Sequence, residues 1–280
     1  MDSQSLVHSN PSSLAGGQAD SSPEAAADPL GAVVRFYDDD YRDQEADLAL
    51  MMDLAQEYGG PVLELGCGTG RALLPLAVSA IPCTGVDSSP ALLAAARVKL
   101  SQTGLADRVT LAQADMRHLD LPDPDFGLAV CLSNTLMHLP TQADQMDALG
   151  RAYHHLRPGG ALLLDLFSPD VSRLIQVDGL QELADTWTDG ATGATVYKWV
   201  VRRTSLAHQI QETLFIYEEI FPDGRVQRTP CAFDLRFLWA AEGALMLHTA
   251  GFHVEEIWGD HDFTPYDDSA DRLIFLALKR

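Results

Sequence analysis

The sequence contains the stretch Val62-Leu-Glu-Leu-Gly-Cys-Gly-Thr-Gly70, in which a short apolar segment runs directly into a loop with glycine at every second position. Glycine adopts backbone conformations that other residues avoid, and it lets backbone N–H groups approach a ligand closely. An apolar segment from Arg71 to about Ala80 follows and is typical of a helix. The stretch therefore predicts a buried strand, a ligand-binding turn and a helix.

Strand and helix patterns alternate outward from this turn. The segments predicted as strands are residues 61–65, 83–87, 109–113, 126–132, 161–167, 252–258 and 273–278. Those predicted as helices are residues 43–58, 71–80, 89–100, 143–156 and 239–250. Ser89 followed by Pro90 is a typical start of the third helix. Such alternation predicts an α/β fold whose parallel sheet is covered by helices on both faces.

Residues 183–237 interrupt the alternation with β patterns. Residues 196–203, 209–221 and 226–237 are rich in β-branched and aromatic side chains, and Pro222-Asp-Gly224 is a turn signal. We therefore expect an inserted antiparallel unit at residues 181–237, acting as a roof over the active site or as a dimer surface.

The segments around this insertion complete the predicted domain organisation. We expect residues 32–180 to form the core and residues 238–280 to complete it. Residues 1–31 are poor in large apolar side chains, which predicts a disordered leader.

Charge and composition exclude several classes of protein. Asp and Glu outnumber Lys and Arg by 40 to 19, which gives a formal net charge of −21. Such a surface repels nucleic-acid backbones and anionic membranes, so we expect neither as a partner. The four cysteines show no metal-ligand spacing, so we expect no metal site. No apolar run is long enough to span a bilayer, and reduced thiols fit a cytoplasmic location.

Three acidic residues lie at or near the carboxyl ends of neighbouring predicted strands. Glu64 lies two residues before the glycine loop, Asp87 ends the second strand and Asp115 follows the third. Because open α/β sheets bind ligands at the carboxyl ends of their strands, these acids are expected at one site. A carboxylate at Asp87 can accept hydrogen bonds from both hydroxyls of a ribose.

Five motifs in register resemble those of the class I S-adenosylmethionine-dependent methyltransferases. They are Val-Leu-Glu-Leu-Gly-Cys-Gly-Thr-Gly (62–70), Gly-Val-Asp-Ser-Ser (85–89), Ala-Asp-Met-Arg (114–117), Leu-Ser-Asn (132–134) and Leu-Arg-Pro-Gly-Gly (156–160). The resemblance implies a Rossmann-like, doubly wound, mostly parallel seven-stranded sheet with the last strand antiparallel. It also implies methyl transfer from S-adenosylmethionine to an oxygen or nitrogen atom of a small metabolite, by a monomer or homodimer.

The resemblance implies roles for the loop residues. Gly66, Gly68 and Gly70 cradle the methionyl and ribose end of the cofactor, and Glu64 supports the loop. Cys67 belongs to the same cofactor-binding loop, where it acts as a small filler and not as a nucleophile.

The resemblance assigns the remaining cofactor contacts to the next three strand ends. Asp87 binds the ribose hydroxyls and Ser88 lies along the adenosine. Asp115 accepts from the adenine amino group while Met116 covers the ring. Ser133–Asn134 face the methionine part near the transferable methyl group.

Several further side chains have both a functional and a structural interpretation. Tyr37 and Tyr41 resemble tyrosines that small-molecule N-methyltransferases place over the cofactor, yet they can equally anchor the first helix. His138 is the candidate general base, although a structural histidine is the competing interpretation. Four aromatic side chains either line a substrate pocket or pack the strands together: Trp187, Trp199, Phe215 and Tyr217. A polar loop is expected at the surface and contains His261, Asp262 and Tyr266.

Two other functions stay open at this point. One is a non-catalytic protein that binds S-adenosylmethionine within a complex. The other is an NAD(P)-dependent reductase, which the GxGxG spacing and the Asp115–Met116 pair disfavour, because dinucleotide-binding loops carry GxGxxG.

Overall fold

The structure, a computed structural model, describes residue 28, residues 30–122 and residues 125–280. The predicted leader lies outside these residues, except for residues 28, 30 and 31. A 3₁₀ turn, Gly31–Val33, opens the regular structure of the described chain.

The described residues form eleven strands and seven α-helices. The strands are β1 (Val62–Leu65), β2 (Cys83–Asp87), β3 (Val109–Gln113), β4 (Phe126–Cys131), β5 (Leu156–Phe167), β6 (Gln181–Thr188), β7 (Thr195–Ser205), β8 (Ile210–Ile220), β9 (Val226–Arg236), β10 (His253–Trp258) and β11 (Arg272–Leu278). The helices are α1 (Val34–Asp40), α2 (Ala46–Tyr58), α3 (Leu73–Val78), α4 (Pro90–Gln102), α5 (Gln142–His155), α6 (Val171–Gln176) and α7 (Ala240–Thr249). No helix in these ranges is long and apolar enough to cross a membrane.

Seven strands form one sheet in the order β10-β11-β5-β4-β1-β2-β3. The pairs from β5 to β3 are parallel, and β11, the last strand of the chain, runs antiparallel to both β5 and β10. The predicted seven-stranded sheet with its last strand antiparallel is therefore confirmed. All four residues of β1 are buried, as expected for a central strand covered on both faces.

Helices bury apolar side chains on both faces of this sheet. On one face, α5 and α7 contribute Leu149 and Leu247 to the core, and on the other α2 and α3 contribute Met51 and Leu73. Neighbouring residues of β4 alternate between the two cores, as the two-residue period of a strand requires. The predicted start of α4 is also confirmed, because the Ser89 hydroxyl accepts from the Leu92 N–H at 3.1 Å.

The insertion forms a second, four-stranded antiparallel sheet in the order β6-β7-β8-β9. The antiparallel prediction is correct, but β6 and the short helix α6 were not predicted as separate elements. β6 has the sequence Gln-Glu-Leu-Ala-Asp-Thr-Trp-Thr, whose polar residues give a weak strand pattern, and it is held by pairing with β7. Asp170 caps the start of α6, because its carboxylate accepts from the Ser172 N–H at 2.7 Å.

Several predicted boundaries are wrong, and two of them matter most. The helix expected over residues 71–80 covers only Leu73–Val78, and the strand expected from Ala161 already begins at Leu156. The second difference arises because the Gly159 N–H donates to the Lys279 carbonyl at 2.7 Å, which draws the Arg-Pro-Gly-Gly turn into the sheet.

Candidate active site

A cavity of about 500 Å³ lies at the carboxyl ends of β1 to β4, under α1 and the inserted sheet. Ten of the thirteen site residues predicted from the sequence line it: Tyr37, Gly66, Gly68, Asp87, Ser88, Asp115, Met116, Ser133, Asn134 and His138. The fold thus brings together side chains from five separate segments of the chain. The remaining three, Glu64, Cys67 and Gly70, are not part of the cavity wall.

The glycine loop has a backbone that requires glycine. Gly66 and Gly68 have φ angles of +73° and +54°, in the left-handed region. A Cβ atom on Gly66 would lie 2.2 Å from the Thr135 side chain, and one on Gly68 would lie 3.0 Å from the Tyr37 hydroxyl. The loop therefore leaves room only for a bare backbone where a ligand would approach.

Asp87 is fixed between the glycine loop and the start of α4. Its carboxylate accepts from the Gly68 N–H and from the Ser89 N–H, both at 2.8 Å. Burial raises the pKa of Asp87, and these backbone donors act against that rise. The carboxylate is thus oriented at the cavity wall before any ligand binds.

Asp115 is held ionised by a neighbour that the sequence analysis did not single out. Arg117 donates through Nε to both Asp115 oxygens, at 3.0 and 2.9 Å, and through Nη1 to Asp144 at 2.7 Å. These guanidinium hydrogen bonds lower the pKa of Asp115. Arg117 also lines the cavity. Its position in the Ala-Asp-Met-Arg motif was the signal that could have identified it.

The turn after β4 has two consecutive left-handed residues, Ser133 at φ +52° and Asn134 at φ +68°. Such a conformation is uncommon for residues other than glycine and needs support from its surroundings. The Asn134 side-chain oxygen accepts from the Phe167 N–H at 2.6 Å, and the Asn134 N–H donates to the Asp165 carbonyl at 3.0 Å. β5 therefore holds the turn.

A buried charged group lies beneath this turn. Arg272 donates through Nε to the Asp165 carboxylate at 2.9 Å, and His261 Nε2 lies 3.4 Å from the other carboxylate oxygen. Although burial raises the pKa of Asp165, the neighbouring His261 and the hydrogen-bonded Arg272 hold it below its ordinary value. The polar loop predicted at the surface is thus only partly exposed. Asp262 is exposed, but Tyr266 contacts the Ser168 hydroxyl at 3.1 Å.

His138 is a poor candidate for a general base at neutral pH. Its ring is open to the cavity and 5.0 Å from the Phe233 ring. Although the residue is exposed to the open cavity, loss of hydration from the protein packed around the ring lowers its pKa to about 4. A base with so low a pKa gains little from accepting a proton near pH 7. The catalytic role of His138 therefore stays a prediction that this environment does not favour.

Two tyrosines lie beside the glycine loop, Tyr37 within α1 and Tyr41 directly after it. The rings of Tyr37 and Tyr41 are 4.9 Å apart, and both residues line the cavity. Burial raises the pKa of both phenols, so they remain protonated at neutral pH. They can therefore donate hydrogen bonds and cover an apolar ligand surface.

The three predicted residues outside the cavity wall support the loop from below. Cys67 packs against β2, since a Cβ on Gly85 would lie 2.8 Å from its sulfur. Burial raises the pKa of the Cys67 thiol far above its ordinary value, which fits a filler and not a nucleophile. A Cβ on Gly70 would lie 3.4 Å from that of Ala96. Glu64 is buried, and its Oε2 has no hydrogen-bond partner among the described residues.

Replacing Glu64 by glutamine is expected to change how stability depends on pH. Burial raises the pKa of Glu64 to about 8, so its carboxyl is protonated in the folded chain at pH values where the unfolded chain has lost the proton. That stabilisation is complete below about pH 4.5 and is lost as pH rises through about 8. Glutamine resembles the protonated form at every pH.

Denaturant unfolding without cofactor tests this expectation at pH 5 and pH 9. The free energy of unfolding of Glu64→Gln should equal that of the parent at pH 5. At pH 9 it should exceed the parent's value by on the order of 3–5 kcal/mol. Glu57→Gln, on the exposed face of α2, is the control and should follow the parent at both values. A parallel pH dependence for Glu64→Gln and the parent would contradict the assignment.

The cavity fits S-adenosylmethionine as judged from its own residues. A bare glycine backbone lies beside an oriented carboxylate at Asp87, and an ionised acceptor at Asp115 lies further along the wall. Glu64 adds an unpaired carboxyl oxygen beneath the loop. Among residues 30–122 and 125–280, no group of three or more His, Cys, Asp or Glu side chains is arranged to hold a metal ion.

Comparisons with known proteins agree with this geometry. Residues 62–160 match the family described as "Methyltransferase domain". The chain is 32% identical over 232 residues to "Putative methyltransferase YqeM" of Bacillus subtilis (strain 168), covering 79% of this chain and 84% of that protein. It is 31% identical over 160 residues to dTDP-3-amino-3,6-dideoxy-alpha-D-glucopyranose N,N-dimethyltransferase of Streptomyces fradiae, covering 57% of this chain and 59% of that protein.

A solved structure shares the whole architecture. The S-adenosylmethionine-bound amino pentose methyltransferase CalS10 from Micromonospora echinaspora superimposes with a TM-score of 0.66 at 24% identity, covering 92% of this chain and 96% of that one. This likeness concerns the fold alone, while the Bacillus relative and the matched domain carry the assignment. The chain belongs to the class I S-adenosylmethionine-dependent methyltransferase family.

Proposed function

We propose that this enzyme transfers the methyl group of S-adenosylmethionine to a nitrogen or oxygen atom of a small metabolite, giving S-adenosylhomocysteine. The observation that carries this proposal is a second cavity of about 430 Å³ next to the first. It lies between the end of β5, α6 and the inserted sheet. Four residues, Asn134, Phe215, Phe233 and Leu235, line both cavities.

The second cavity has the size and lining of a small-molecule site. Phe167, Leu174 and Leu183 supply apolar surface, whereas Gln211 and Arg202 supply polar groups. Its opening into the first cavity at Asn134 would bring an acceptor towards the place where the resemblance puts the transferable methyl group. We assign the first cavity to the cofactor and the second to the acceptor.

The chain's own residues have two tasks in such a transfer. When bound, the cofactor supplies an electrophilic methyl carbon, so the protein needs no nucleophile of its own. The inserted sheet covers the junction of the two cavities with Phe215 and Phe233. Ser133–Asn134, fixed by β5, orient the groups that meet there.

Names of relatives and net charge support a small acceptor. The Streptomyces fradiae relative and the CalS10 neighbour are named as amino-sugar methyltransferases. The formal charge of −21 opposes binding of nucleic acid. The domain division at residues 32–180, 181–237 and 238–280, the choice between monomer and homodimer, and the cytoplasmic location stay predictions.

Turnover with a panel of small amines and alcohols tests the proposal. The full chain is incubated with S-adenosylmethionine, and mass spectrometry follows S-adenosylhomocysteine and methylated product. At least one acceptor should yield both in equal amounts. Binding of the cofactor without turnover across the panel would favour a non-catalytic partner. Acceptor-dependent oxidation of NADPH would favour a reductase.

A further inference from the structure

The last residue of α1 is a carboxylate that the inserted sheet encloses almost completely. The Asp40 side chain is 7% exposed. Its Oδ2 accepts from Lys198 Nζ at 2.8 Å and from the Tyr217 hydroxyl. Its Oδ1 is buried and has no hydrogen-bond partner among the described residues. All three residues belong to the wall of the cofactor cavity.

An unpaired buried carboxylate oxygen is costly, because it has lost its water without gaining a donor. The donors already present, Lys198 and Tyr217, are both used on the other oxygen of Asp40. Burial and the Asp40 charge raise the pKa of Tyr217, so its hydroxyl stays a donor. Because Asp40 lines the cavity, a molecule bound there can supply the missing donor for Oδ1.

The surroundings of Asp40 favour a cationic donor. Lys198 Nζ lies 4.1 Å from the centre of the Phe215 ring, so this aromatic wall already contacts one cation. Tyr217 stacks on Phe36 with ring centres 4.4 Å apart, and its own ring lies 5.8 Å from the same ammonium. Aromatic faces attract cations, particularly away from water.

Asp40 also lies close in the chain to the cofactor end of the cavity. Tyr37, one helical turn earlier in α1, has its hydroxyl against Gly68 of the glycine loop. Phe215, under Lys198, lines both the cofactor cavity and the acceptor cavity. The carboxylate thus belongs to the region where the two proposed ligands meet.

We propose that Asp40 binds the acceptor and that the acceptor is an amine, whose amino group donates a hydrogen bond to Asp40 Oδ1. This inference rests on the proposed function and names the substrate class of the same site. An ammonium acceptor gives one proton to solvent, and the nitrogen lone pair then forms the N–C bond to the methyl group. The C–S bond breaks, and its electron pair stays on sulfur.

Calorimetry with a matched pair of probes tests the proposal on the full chain saturated with S-adenosylhomocysteine. Benzylamine and benzyl alcohol have nearly the same shape but differ in the group offered to Asp40. At neutral pH, benzylamine should bind at least about tenfold tighter than benzyl alcohol. Asp40→Asn should abolish this preference, since it removes the charge and keeps the shape. Asp43→Asn, at a side chain that is 84% exposed, should retain it.

A second variant keeps the test decisive if Asp40→Asn does not fold. Lys198→Met removes the cationic one of the two donors to Asp40 Oδ2, so the preference for benzylamine should rise by at least about threefold. No binding of benzylamine to the parent, an equal affinity for both probes, or a preference that survives in Asp40→Asn would overturn the proposal. Failure of S-adenosylhomocysteine itself to bind would instead overturn the proposed function.

Discussion

Asp87→Ala is expected to bind S-adenosylhomocysteine about 30- to 1000-fold more weakly than the parent. The carboxylate is proposed to accept from two ribose hydroxyls, and hydrogen bonds to a charged group contribute roughly 1.5–3 kcal/mol each. Because two hydrogen bonds that share one carboxylate are not additive, we expect a combined loss of about 2–4 kcal/mol, which gives this range. Asp87 also holds the N–H groups of Gly68 and Ser89, so its removal loosens the loop that the cofactor needs.

Titration calorimetry measures this effect, with Asp53→Ala as the control. Asp53 is exposed on α2 and does not line the cavity, so the same chemical change there should leave the affinity within about twofold of the parent. Circular dichroism and the unfolding midpoint show whether the Asp87 variant keeps its fold. A folded Asp87→Ala protein with parental affinity would refute the ribose role.

Gly127→Ala is expected to destabilise the chain by about 3 kcal/mol or more. A Cβ on Gly127 would lie 2.1 Å from the Gly59 carbonyl oxygen and 2.8 Å from that of Tyr58. These are backbone atoms at the end of α2, so they cannot rotate away as a side chain would. The glycine in β4 therefore allows α2 to pack directly on the sheet that carries the site.

Gly150→Ala is the matched control for this substitution. Gly150 lies within α5, and a Cβ there would meet no atom within 4 Å. Alanine should stabilise this helix by about 0.5–1 kcal/mol relative to glycine. In urea unfolding, the free energy of unfolding should fall in Gly127→Ala and rise in Gly150→Ala. A free energy of unfolding for Gly127→Ala within about 1 kcal/mol of the parent's would contradict the packing described for α2.

The large sheet and most of the cavity wall were predictable because their signals are local. β1 and β4 are compact apolar segments, and the loop after β1 has an unambiguous glycine pattern. Parallel strands also place their carboxyl ends at one edge, so Asp87 and Asp115 had to lie near each other.

The groups that were missed depend on residues far apart in the chain. Asp165 meets Arg272 across 107 residues, and Asp40 meets Lys198 across 158. Neither contact leaves a periodicity or a spacing that can be recognised in a single sequence. The strand β6 was missed for the same reason, because its polar residues become a strand only through pairing with β7.

Titration of the parent chain with S-adenosylhomocysteine tests the central claim most directly, namely that the cavity at the ends of β1 to β4 is the cofactor site. We predict one binding site per chain, with an affinity that is lower in Asp87→Ala and unchanged in Asp53→Ala, and no comparable binding of NADP⁺. Absence of S-adenosylhomocysteine binding, or tighter binding of NADP⁺, would contradict it.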